Sequence, residues 1–128
     1  MKVLGIGVDI IKNQRIKSLI KNKTFIIRTF SKKEIKSSKN IMNKTNYFAK
    51  RFAAKESFAK SLGTGFRNNL SFSNIEIFND KIGKPYFYKS NKINSIVNKR
   101  FGVKKYDLFL SISDEKDYSI AFTILQTK

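Results

Sequence analysis

The chain has 128 residues, 41% hydrophobic and 13% aromatic, enough to close one core without covalent staples. It has neither cysteine nor histidine, which excludes disulfides, thiolate or imidazole metal sites and histidine-based triads, so any metal must be held by oxygen ligands. The formal net charge of +18 points to an acidic partner (nucleic acid, an anionic membrane, a phosphate-rich ligand or an acidic protein) or, as readily, to an AT-rich genome that inflates lysine and asparagine together.

Val3 to Ile11 is predicted as a strand, with Leu4, Ile6, Val8 and Ile10 on one face and Val3, Gly5, Gly7 and Asp9 on the other. The glycine face admits close approach by another element and ends in a carboxylate. Asp9 and Lys12 interrupt the apolar run too early for a signal peptide, and no stretch is long enough to span a membrane, so a cytoplasmic protein is expected. Gln14 to Ile20 reads as a short helix. Phe25 to Phe30 is ambiguous between strand and helix, and Ser31 with Glu34 forms a capping-box pattern that starts another helix. Ser37 to Lys44 is a polar loop.

The next helix runs from Tyr47 to Leu62, rich in Ala, Lys, Glu and Leu. Phe48, Phe52, Ala59 and Leu62 are expected in the core. Ala49, Ala53, Glu56 and Lys60 share a neighbouring face on which small residues would let another backbone leave the Glu56 carboxylate partly dehydrated. On spacing alone, Glu56 and Lys60 also read as an ordinary i,i+4 pair. Arg51 and Lys55 are expected in a basic stripe bordering the apolar one, and Gly63 in a left-handed helix cap. Beyond it, Leu70 to Phe78 and Tyr86 to Tyr88 are predicted to pair as a hairpin around Asn79–Pro85. Lys92 to Phe101 reads as a helix, and Asp107 to Ser113 and Tyr118 to Leu125 as the strongest strands. The expected fold is α+β, one domain over 1–128, with a mostly antiparallel sheet and a long helix across it.

Four blocks, in order, resemble the holo-acyl-carrier-protein synthase family of small 4'-phosphopantetheinyl transferases: Gly5-Ile6-Gly7-Val8-Asp9-Ile10 with Arg15-Ile16, Arg51 to Gly65, Gly83-Lys84-Pro85, and Leu110-Ser111-Ile112-Ser113. The second is the most specific, running Arg-Phe-Ala-Ala-Lys-Glu and then Leu-Gly-Thr-Gly. The resemblance implies transfer of phosphopantetheine from coenzyme A to a serine of acyl carrier protein. It implies magnesium on Asp9 and Glu56, with Lys60 as a third catalytic residue beside the phosphates. It further implies coenzyme A contacts at Arg51, Lys60, Gly63, Gly83, Lys84, Pro85 and Ser113, and carrier contacts at Arg15, Lys21 and Arg28. A homotrimer with sites between subunits is also implied. Asp114 departs from the family, which usually has histidine there; Lys12-Asn13 and Lys50 depart as well. The alternative from charge and aromatic content is a basic nucleic-acid-binding module, which would leave Asp9, Glu56 and the Gly-Thr-Gly turn without a role.

Overall fold

A long helix lies across a three-stranded antiparallel sheet, and the smaller elements close the core around the helix. The computed structural model describes residues 1–67 and 69–128. In chain order the elements are β1 (Val3–Lys12), α1 (Asn13–Leu19), α2 (Lys23–Thr29), α3 (Lys32–Ser38), α4 (Lys44–Leu62), β2 (Ile77–Asn79), β3 (Pro85–Phe87), α5 (Asn91–Phe101), β4 (Tyr106–Asp114) and β5 (Tyr118–Thr127). The main sheet has the order β1-β5-β4; β2 and β3 form a separate two-stranded ribbon. This is the expected α+β architecture. The ambiguous Phe25–Phe30 stretch is helical because Asn22 caps it, its side chain accepting from the amides of Thr24 (2.8 Å) and Phe25 (3.3 Å).

Glycine at residues 5 and 7 sets the distance between sheet and helix. A Cβ on Gly5 would collide with the Ser61 carbonyl, and one on Gly7 with the Ser57 carbonyl, so α4 lies directly on the strand backbone. Ser57 Oγ and Thr123 Oγ1 share a 2.6 Å hydrogen bond across the same contact. The closest approach thus falls at Ser57 and Ser61, which continue the i,i+4 row of Ala49 and Ala53 one and two turns on.

The other sheet face is apolar and open. Ile6, Val8 and Ile10 are 60%, 53% and 59% exposed, and the register sets them beside Ile124, Phe122 and Ile120 of β5. Phe109 of β4 continues the surface next to Ile124.

Two expectations are corrected. Only Ile77 and Phe78 of the predicted 70–78 strand are paired as strand, in a β2 that runs on to Asn79; Phe72–Asn74 is a 3-10 turn, closed by the Asn74 side chain accepting from the Ser71 amide at 2.9 Å. The carbonyls of Phe72 and Ile75 accept from the Lys55 ammonium and so are withdrawn from any strand ladder. Lys55 is the second correction. It lies in no surface stripe: its ammonium, fully buried, pairs with the equally buried Glu34 carboxylate at 2.7 Å. Arg51 is also buried, its guanidinium stacked 3.7 Å from the centre of the Tyr47 ring.

Candidate active site

Asp9 ends the small-residue face of β1, and Glu56 lies in the middle of α4 where helix and strand are closest. Both carboxylates are only partly exposed. Burial raises the Asp9 carboxyl above the ordinary aspartate range, opposed by a hydrogen bond from Lys60 and by the charges of Lys60 and Arg15. Glu56 is raised first by burial and then by the negative charge of Asp9, again against Lys60 and Arg15. The Asp9 charge thus acts on Glu56, and Lys60 and Arg15 act on both acids. Lys60 reaches across to β1 instead of back to Glu56, donating to Asp9 Oδ1 at 3.2 Å and to the Val8 carbonyl at 3.0 Å. The i,i+4 reading of Glu56 and Lys60 is not realised.

The donor set is oxygen only, which suits a hard divalent cation such as magnesium. Among the described residues no group of three or more acidic side chains gathers to form a complete cage. Asp9 and Glu56 would thus leave coordination positions for water and for a ligand's own phosphate oxygens.

A second feature lies toward the N-terminal half of α4. Lys50, Arg51, Ile77, Asn79, Gly83, Pro85, Ile112 and Asp114 line a cavity of about 180 Å³, whose lining includes neither Asp9 nor Glu56. Arg51 enters it with one Nη2 donating to Asn79 Oδ1 at 2.7 Å, and its Nε is buried without a hydrogen-bond acceptor among the described residues. Asp114 accepts a hydrogen bond from Asn46 Nδ2, which holds its charge on the cavity rim.

A family model of the 4'-phosphopantetheinyl transferase superfamily matches residues 5–123. The chain is 56% identical over its full length to the full-length holo-[acyl-carrier-protein] synthase of Pelagibacter ubique. It is 44% identical to the synthase of Ehrlichia chaffeensis, over 98% of each chain. The chain belongs to the holo-[acyl-carrier-protein] synthase family. Among solved structures, the Neisseria meningitidis synthase has a TM-score of 0.88 at 38% identity, over 98% of this chain and 99% of the other. The Bacillus anthracis synthase, solved in complex with CoA (3',5'-ADP), has a TM-score of 0.83 at 32% identity over the whole of both chains. The nucleic-acid alternative finds no support in this family.

The remaining residues expected at the site divide by position. Arg51, Gly83 and Pro85 share the cavity, while Lys84 and Ser113 are exposed and outside its lining. Gly63 ends α4 in the left-handed conformation, φ 77°, with Arg100 Nε donating to the adjacent Leu62 carbonyl at 2.8 Å. Arg15, Lys21 and Arg28 are all exposed on α1, α2 and their connection, with the Arg15 guanidinium 6.0 Å from the Phe52 ring centre. Sequence reasoning missed Asn79, Tyr47 and Glu34. The available signal was Lys55 itself: it stands three residues from both Phe52 and Phe58 on the helix, inside the apolar arc, where a lysine requires a buried acceptor.

Proposed function

We propose that this chain transfers the 4'-phosphopantetheine group of coenzyme A to a serine hydroxyl of apo acyl carrier protein, releasing 3',5'-ADP, with magnesium held by Asp9 and Glu56. What supports this reading is that Asp9 on β1 and Glu56 on α4, elements in direct backbone contact, are both half-buried, with Lys60 one turn beyond Glu56 donating to Asp9. When bound, the cation neutralises charge on the donor pyrophosphate. Lys60 is largely exposed and its ion pair with Asp9 is long at 3.2 Å, so its ammonium can turn to a phosphate oxygen as charge builds there. The serine oxygen forms the new bond to phosphorus as the bond to the departing 3',5'-ADP oxygen breaks. A carboxylate of the pair accepts the serine proton through water.

Arg51 and Lys50, with Gly83 and Pro85, form the cavity assigned to the anionic donor, and Lys60, Gly63, Lys84 and Ser113 are assigned to its further contacts. Arg15, Lys21 and Arg28 are assigned to the acidic carrier, in line with the formal charge of +18. The cavity and the carboxylate pair are separate features of the chain, and the open sheet face carries Ile6, Val8, Ile10, Ile120 and Phe122. Both features favour a homotrimer whose sites are completed across subunits. A cytoplasmic location goes with this reading, and among the described residues no helix is long and apolar enough to cross a membrane.

The test is to incubate the protein with coenzyme A, magnesium and apo acyl carrier protein and weigh the carrier. A phosphopantetheine mass gain that needs both magnesium and coenzyme A is expected; an unmodified carrier overturns the reading. In the same preparation, a fully active monomer by solution mass would overturn the shared site while leaving the chemistry standing.

A further inference from the structure

We infer that the buried Glu34–Lys55 pair is a positioning device for the cavity, fixing the two supports between which the Arg51 guanidinium is held. The inference rests on the reading of that cavity as part of the coenzyme A site.

All the hydrogen-bonding capacity of the Lys55 ammonium is used. It donates to Glu34 Oε1 at 2.7 Å, to the Phe72 carbonyl at 2.9 Å and to the Ile75 carbonyl. Glu34 completes the junction: Oε1 also accepts from the Ser31 amide at 3.0 Å, and Oε2 from the Ile77 amide at 3.0 Å. One ion pair therefore pins the backbone at residues 72, 75 and 77, a stretch with little regular structure of its own.

Ile77 opens β2, and Asn79 at its end accepts the Arg51 hydrogen bond. On the other side, the Glu34 carbonyl accepts from Tyr47 Oη at 2.6 Å, and the Tyr47 ring carries the Arg51 guanidinium. Both supports of Arg51 thus trace back to the same junction. With Nε lacking an acceptor, Arg51 has little else to hold its pose.

Stability alone does not account for the pair. Two charges withdrawn from water gain little net free energy over apolar side chains of similar volume. What they add here is direction, since each donor and acceptor fixes one backbone group. Losing that direction is expected to weaken donor binding while leaving the carrier surface on α1 and α2 intact.

The experiment compares three variants of the full chain, each checked for folding by near-ultraviolet circular dichroism, with KM measured separately for coenzyme A and for apo carrier. Arg51→Ala tests the cavity itself. Glu34→Gln/Lys55→Met removes both charges while keeping side-chain length. Tyr47→Phe removes one hydroxyl and keeps the ring. Arg51→Ala and the double variant are expected to raise KM for coenzyme A about tenfold, the scale of one charge-assisted hydrogen bond, and Tyr47→Phe about threefold. KM for the carrier and the magnesium dependence are expected to stay unchanged, whereas mere loss of folded protein would lower the rate at unchanged KM. If Arg51→Ala leaves KM for coenzyme A unchanged, the cavity is not part of the donor site and the inference falls with it. If Arg51→Ala raises it but the folded double variant does not, the inference alone is overturned. Should the double variant fail to fold, Tyr47→Phe decides, and an unchanged KM for coenzyme A there overturns the positioning role.

Discussion

Lys55 and Lys60 stand five residues apart on the same helix, each beside a carboxylate, and they do opposite things. The Lys55–Glu34 pair is dry on both sides, 0% exposed, with its hydrogen-bonding groups occupied by protein. The Lys60–Asp9 pair is wet, 54% and 15% exposed, and its only side-chain contact is 3.2 Å long. The first cannot change partners without leaving a charge buried; the second can exchange partners at little cost. The helix thus anchors the 72–77 segment with one pair and leaves the other able to re-pair.

The largest way to break this comparison is to remove the two half-buried acids near Lys60. Asp9→Ala and Glu56→Ala should each lower transfer by on the order of a thousandfold, as expected when a group stabilising transition-state charge is lost, while circular dichroism stays native. Near-normal magnesium-dependent activity in either variant would separate that residue from the metal. The next largest effect is on stability. Lys55→Ala leaves Glu34 buried and unpaired and should cost about 3–5 kcal/mol in denaturant unfolding. Lys60→Ala should change stability by about 1 kcal/mol or less, yet slow transfer. Equal losses of stability would erase the distinction between the two pairs.

The smallest effect is a pH dependence without metal. Asp9 and Glu56 hold their protons more tightly in the fold than in the unfolded chain, because burial raises both. Their charged forms therefore oppose folding at neutral pH, and that opposition fades as pH falls through their raised values to the ordinary carboxylate range. Asp9→Asn is expected to melt slightly above the parent at neutral pH in a chelator, with the gap closing in acid. A lower melting temperature for Asp9→Asn at neutral pH would mean that the Lys60 contact outweighs burial.

Much of this was legible in the residues because it follows from local pattern. Gly5 and Gly7 on one side of a strand announce close packing, and Asp9 at the end of that face and Glu56 on the small-residue face of the helix point to the same junction. The Gly63 cap and the Ser31–Glu34 capping box followed from their own few residues. What stayed hidden depends on partners far apart in the chain. Glu34 looked spent on its capping box, although its carboxylate also binds a lysine 21 residues later. Leu70 to Phe78 has strand composition, but Lys55 takes two of its carbonyls and the ladder shrinks to Ile77–Asn79. Alternation in β1 separated Ile6, Val8 and Ile10 from Gly5, Gly7 and Asp9 without telling which face this chain covers: the glycine face is covered and the isoleucine face is open. It failed at the register shift between Val3 and Gly5, where Leu4 packs on the core and Val3 is exposed.

The register of the sheet also bears on how the chain acquires its shape. Among the described residues β1 pairs with β5 alone, Val3 opposite Gln126 and Lys12 opposite Tyr118, so the first strand finds its neighbour in the last. On a ribosome adding roughly 5–20 residues per second, Val3 emerges on the order of ten seconds before Gln126 is made. During that interval α4 is the partner within reach, and the glycine face of β1 can settle on Ser57 and Ser61 before any ladder exists. Closure of the sheet then waits for the C-terminal hairpin. Pairing of this range in sequence is slow to nucleate, and Ile6, Val8 and Ile10 stay exposed both before the ladder forms and after it has closed.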